Sequence, residues 1–171
     1  MIGGRGTVRT VTVGRSAPTF ELMGMDGQLY SLNEALMRGP LLVAFFKVTC
    51  PTCQLTLPFV ERLHQQFRGQ ALQVWGVSQD TVRDSKRFAE HFGVSFPILI
   101  DEEPYETSQE YGLVYVPTLF LISPEGQVQV STHGFSKNDL LKMQKWLVEY
   151  FDAQPAEFFH RSDKIPEYKP G

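Results

Sequence analysis

The stretch "LLVAFFKVTCPTCQLTLPFVERLHQQFRG", residues Leu41 to Gly69, decides the fold. Its first six residues, Leu41 to Phe46, are continuously apolar, as a central strand covered on both faces requires. Beyond a short link, Leu55, Phe59, Leu63 and Phe67 recur every four positions and mark one face of a helix from Cys50 to Phe67, which Gly69 closes. Both cysteines of the chain, Cys50 and Cys53, stand at the joint between strand and helix.

Strand and helix signals alternate on either side. Thr7 to Val13 reads as a β-branched edge strand, and Asp26-Gly27 between two short extended runs signals a hairpin. Ser31 with Glu34 three residues on caps a short helix through Met37, which Gly39-Pro40 ends. Downstream come a strand at Leu72 to Val77, a helix at Val82 to Phe92 with Gly93 as its stop, and a strand at Phe96 to Ile100. An acidic turn, "DEEP", then leads into a helix ending at Gly112.

"PTLFLISPEGQVQVS" reads as an antiparallel hairpin turned by Pro124 and Gly126. Ser136, with Asp139, opens a last helix to about Phe151 that buries Leu140, Leu147 and Phe151. Residues 153–171, rich in proline and charge, are expected to form an irregular tail docked through Phe158 and Phe159 on a domain spanning residues 1–152. Repeated strand–helix–strand passages imply an α/β fold with parallel strands joined by right-handed crossovers.

Length and composition suit this reading. A chain of 171 residues fits one domain, and 42% hydrophobic with 20% charged residues is ordinary for a globular protein. The net charge of −3, with basic residues scattered singly, gives no face for nucleic acid. The N-terminus has no apolar signal core and no later segment approaches a membrane span, so a cytoplasmic chain is expected; a processed exported protein would read the same way.

The cysteine pair carries the chemistry. Cys50 opens a helix, where backbone N–H groups lack intrahelical acceptors and the dipole is positive, a setting that favours the nucleophilic thiolate. Residues three apart on a helix lie about 5–6 Å from each other, within disulfide reach, so Cys53 can bond to Cys50 with little backbone movement. Pro51 takes the first helical position, where its missing N–H costs nothing. Cys50 is then the attacking thiol and Cys53 the resolving one. Half a zinc site and two inert core thiols are the other readings. A zinc site would need further ligands, and His64, eleven residues past Cys53, lies about 16 Å along the helix at about 1.5 Å per residue. No metal and no cofactor is expected.

In order and spacing, "VGRSAPTFEL", "DGQLYSL", "FFKVTCPTC" with Pro58, "VWGVSQD", "FPILIDE" and "YGLVYVPTLFLISPEGQV" resemble the thioredoxin-fold superfamily over residues 12 to 150. The resemblance is to its AhpC/TSA (redoxin) branch, which includes the TlpA-like thiol-disulfide oxidoreductases. It implies a three-layer sandwich: a central mixed sheet with helices on both faces, an N-terminal hairpin extension and a strand-helix insertion before a cis-proline. Pro58 matches the helix-kinking proline of such folds. Pro117 matches the cis-proline that faces the cysteines and presents the backbone of Val116 to an extended substrate, in the manner of strand addition. Thr49, Pro51 and Thr52 complete the implied substrate-binding surface.

The chain also departs from the family. Ala44 stands where thioredoxin-like proteins carry a buried Asp, Thr56 where TlpA-like proteins carry a Glu, and Thr49 where an aromatic is common. Both usual proton acceptors for the resolving thiol are absent, which leaves water, the Thr56 hydroxyl or another group to assist Cys53.

The implied activity is dithiol-disulfide exchange with a disulfide-containing protein or small-thiol substrate, the pair being reset by a separate redox partner. A peroxiredoxin-like peroxidase, with Cys50 peroxidatic and Cys53 resolving, is the alternative. Peroxiredoxins place Thr or Ser three residues before the reactive cysteine and Pro four before that; here these are Lys47 and Val43. A binding protein that uses the pair for metal delivery or protein capture is a third reading.

Overall fold

The computed structural model describes residues 9–171. The Asp26-Gly27 hairpin joins β1 (Glu21–Met23) to β2 (Leu29–Ser31), with Leu22 opposite Tyr30. α1 (Leu32–Leu36) begins where the Ser31 hydroxyl accepts from the Glu34 N–H. β3 (Leu41–Phe46) and α2 (Pro51–Gln66) follow. Next come β4 (Gln73–Ser78), α3 (Val82–Phe92), β5 (Ile98–Ile100) and α4 (Glu106–Glu110). β6 (Thr118–Ile122) and β7 (Val128–His133) form the second hairpin; β8 (Phe135–Ser136), α5 (Lys137–Phe151) and β9 (Tyr168–Lys169) complete the order.

Helical crossovers and tight turns dictate the sheet. α2 and α3 return the chain to run parallel, so β3 pairs with β4 and β4 with β5 in parallel, whereas the Pro124-Gly126 turn sets β7 antiparallel to β6. β6 enters antiparallel beside β3, giving a mixed five-stranded sheet of order β5-β4-β3-β6-β7. β3 lies at its centre, and all six of its residues are buried.

Alternation along β3 divides the core in two. Leu42, Ala44 and Phe46 face a layer built from α2, α3 and α5, with Leu57, Leu63, Phe88, Met143 and Leu147. Leu41, Val43 and Phe45 face a thinner layer of α1 and neighbouring segments, with Leu32, Leu36, Phe20 and Tyr111. Helices thus cover both faces, as the resemblance implies. The β1-β2 hairpin is tied to the sheet edge by a bridge between Gly24 and Leu99 and by the Met25 N–H on the Ile98 carbonyl, 2.9 Å away.

Several expectations need correction. Of the strand expected at Thr7 to Val13, residues 7 and 8 lie outside the described residues, and residues 9–13 form no strand; Val11 makes one backbone bond, to the Tyr111 carbonyl. The buried face of α2 is centred on Cys53, Leu57, Val60 and Leu63, and Leu55 is only half-buried, because β3, α3 and β8 are the elements packed against the helix. Asp101 of the acidic turn is buried, its carboxylate accepting from the Ser108 N–H and hydroxyl. The segment 153–171 is not wholly irregular: β9 pairs with β8, and Phe158 is buried beside the half-buried Phe159.

Candidate active site

β3 ends at Phe46, and the link from Lys47 to Thr49 delivers Cys50 to the start of α2. Cys50 is the N-cap: its sulfur accepts from the Cys53 N–H at 3.2 Å, and its carbonyl accepts the Gln54 N–H at 3.0 Å. Pro51 follows at the first helical position. Pro58 lies inside α2, which continues through it to Gln66. Both thiols are free; Cys50 is half-buried and Cys53 has no exposed surface.

That contrast in burial separates the two sulfurs chemically. Burial pushes the Cys53 thiol far above its ordinary value, and its hydrogen bond with Cys50 raises it further, while a backbone contact from Lys47 opposes both. The charge of Asp80 adds to the rise. Asp80 also fixes the link, since its carboxylate accepts the Val48 N–H at 2.8 Å while its own N–H donates to the Ser78 hydroxyl at 3.0 Å. Gln54 holds the same link by donating to the Val48 carbonyl at 3.0 Å. Nothing assigned Asp80 a role from the sequence. Its place at the end of "VWGVSQD", two residues after a core strand, was the available signal.

The Thr56 hydroxyl donates to the Thr52 carbonyl one turn back, at 2.7 Å, which satisfies a buried polar group locally. Ala44 is packed in the apolar layer with Cys53.

Val116-Pro117 is a cis peptide, as the resemblance implies; Glu103-Pro104 is a second, which the sequence did not suggest. The Cys50 thiol faces the Val116 carbonyl at 3.5 Å, so the cysteine and the residue before the cis-proline meet across 66 positions of sequence. The Pro117 carbonyl accepts the Gly134 N–H at 2.8 Å, tying this loop to the end of β7. Thr49 and Pro51 are exposed on either side of Cys50. Thr52 is buried, and its hydroxyl donates to the Pro170 carbonyl at 2.7 Å. Among the described residues no three His, Cys, Asp or Glu side chains converge as metal ligands, and none joins the cysteines as a further donor.

A mixed sheet of this order, with a C-P-T-C pair opening the first long helix against a cis-proline loop, defines a thioredoxin-like dithiol protein. The AhpC/TSA family matches residues 13–131, and the chain belongs to that family. It is 30% identical over 132 residues to the thiol-disulfide oxidoreductase ResA of Geobacillus thermodenitrificans, covering 76% of this chain and 75% of that one. The ResA of Geobacillus kaustophilus is 31% identical over the same length, with the same shares covered.

Among solved structures, the thioredoxin domain of a thiol-disulfide oxidoreductase from Bacteroides vulgatus superposes with a TM-score of 0.71 at 23% identity, over 83% of this chain and 99% of that one. Peroxidoxin BcpB of Mycobacterium tuberculosis superposes at 0.67 with 22% identity, over 79% and 97%. Both show the fold. Among the described residues no helix is long and apolar enough to cross a membrane.

Proposed function

We propose that this chain is a dithiol-disulfide oxidoreductase that works through a mixed disulfide at Cys50. The observation that carries this reading is the pairing of an accessible N-cap thiol with a fully buried thiol one turn on, the first facing the Val116 carbonyl. The Cys50 thiolate attacks one sulfur of a substrate disulfide. That S–S bond breaks, the departing sulfur leaves as a thiolate that takes up a proton, and the other stays bound to Cys50. Cys53 then gives up its proton and attacks the Cys50 sulfur, which releases the second substrate thiolate and closes the Cys50-Cys53 disulfide. Two electrons pass to the substrate; the reverse sequence oxidises a dithiol, and relative reduction potentials set the direction.

The roles of the two thiols follow from their surroundings. A buried thiol held far above its ordinary pKa is a poor first attacker, so Cys53 acts once a mixed disulfide stands beside it. Thr49, Pro51 and the Val116-Pro117 loop form the surface against which the substrate disulfide lies, with Thr52 buried directly beneath it and reached once Pro170 leaves its hydroxyl. A protein or small-thiol substrate and a separate partner that resets the pair complete the cycle. The peroxidase reading lacks its orienting groups: Val43 is buried in the middle of β3, and Lys47 is an exposed residue at its end.

Insulin-disulfide reduction with dithiothreitol and peroxide consumption with a recycling thiol, run on wild type, Cys50→Ser and Cys53→Ser, test the assignment. Wild type should reduce insulin and Cys50→Ser should not. Fast, Cys50-dependent peroxide loss without insulin reduction would replace this reading with the peroxidase one.

A further inference from the structure

After α5 the chain turns back along the protein to the cysteines. Phe158 packs against Phe59, their ring centroids 6.2 Å apart, and Arg62 grips Asp163 with two bonds of 2.6 and 2.8 Å. The Glu167 carbonyl accepts the Lys137 N–H at 3.0 Å, and β9 then pairs with β8, placing Tyr168 opposite Ser136 and Lys169 opposite Phe135. The Pro170 carbonyl accepts a hydrogen bond from the Thr52 hydroxyl at 2.7 Å. Gly171 approaches Val116 so closely that a Cβ there would overlap the Val116 carbonyl, the same carbonyl that the Cys50 thiol faces.

We propose that Glu167–Gly171 is a strap that sets the substrate class of the site: docked, it leaves Cys50 open to small disulfides and bars extended protein chains, which must displace it. This rests on the oxidoreductase reading above. An extended peptide adds to exposed backbone beside the reacting sulfur. Here Gly171 lies against the Val116 carbonyl, and the Thr52 hydroxyl is engaged by Pro170. Cys50 itself keeps exposed surface, enough for a small disulfide to approach.

The strap is held lightly. Its strand is two residues long and Tyr168 is largely exposed, which places its release at the low-energy end of local opening, whereas Phe158 and Asp163 stay docked upstream. A protein substrate therefore binds the fraction of molecules with the strap open, and its apparent affinity falls by that fraction.

Gly171→Leu dislodges the strap with no change to the core. Assayed on insulin and on glutathione disulfide in parallel, it should raise kcat/KM for insulin roughly threefold or more, in proportion to the open fraction gained, and leave the glutathione disulfide rate near that of wild type. An unchanged or lower insulin rate, or an equal rise on both substrates, overturns the strap. Independently of that variant, Cys53→Ser can be trapped as a mixed disulfide with either substrate and its amide exchange followed. The Lys169 amide, and the Lys137 amide that donates to the Glu167 carbonyl, should lose protection with an insulin chain attached and keep it with glutathione attached; equal protection in both also overturns the strap. A wild type that exchanges with neither substrate overturns the oxidoreductase reading and the strap with it, whereas failure of the strap alone leaves both wild-type rates intact.

Discussion

Cys53 is the residue whose surroundings differ most from expectation. The positions that usually supply a carboxylate, Ala44 and Thr56, offer an apolar contact and a hydroxyl committed to Thr52. The carboxylate whose charge reaches it is Asp80, brought in from the end of β4, and that charge opposes ionisation. Asp80→Asn keeps an oxygen for the Val48 N–H and removes the charge. The variant should therefore lower the pKa of Cys53 and speed resolution of a preformed mixed disulfide near neutral pH, moving the rate profile to lower pH. Stopped-flow release of a fluorescent thiol from Cys50 measures this; an unmoved profile would show that the charge does not act on Cys53. The sequence made the pair legible because a C-P-T-C run at a strand-helix joint is a local pattern. Asp80 and Pro170 were not legible, since their bonds to Val48 and Thr52 span 32 and 118 positions with no periodicity to announce them.

Among the elements, those closed by neighbouring residues read well. Ser31, Thr81 and Ser136 each cap the N–H three residues ahead, and Gly93 ends α3 in the left-handed region at φ 68, which glycine adopts without penalty. The terminal segment read poorly because its order comes from distant partners. Phe59 on α2 is ringed by Phe135, Phe158 and Phe159, with the Arg62 guanidinium 4.7 Å above its ring. Removing a buried phenylalanine costs about 3–5 kcal/mol. Phe158→Ala should sit near the lower figure and reduce the Tm by roughly 6–12 °C for a chain of this size. Phe159→Ala, at a half-buried site, should cost less. Differential scanning calorimetry of the two variants checks the order, and equal losses would contradict the packing described.

At the scale of the whole molecule, the ion pair that docks the terminal segment gives stability a pH dependence of known sign. Arg62 holds Asp163 well below the usual carboxylate range, so at intermediate pH the unfolded chain binds a proton that the folded chain does not, and stability rises with pH. The contribution is complete above about pH 4, the ordinary carboxylate value, and is lost as pH falls from there towards the lowered folded value. The Tm advantage of wild type over Asp163→Asn should hold steady from pH 7 to pH 5 and shrink by pH 3; a constant gap would show that the pair does not titrate with folding. The same chain reversal that this pair secures brings Pro170 and Gly171 to the cysteines, so docking of the segment and access to the site are linked through one surface.

The central claim is that Cys50 forms the bond to substrate and Cys53 breaks it. Mass spectrometry of Cys53→Ser after incubation with glutathione disulfide tests this most directly. One glutathione adduct should accumulate, located on Cys50 by peptide mapping and released by dithiothreitol, while wild type proceeds to the internal disulfide and Cys50→Ser stays unmodified. No adduct on Cys53→Ser, or an adduct on Cys53 in the Cys50→Ser protein at a comparable rate, would contradict the account.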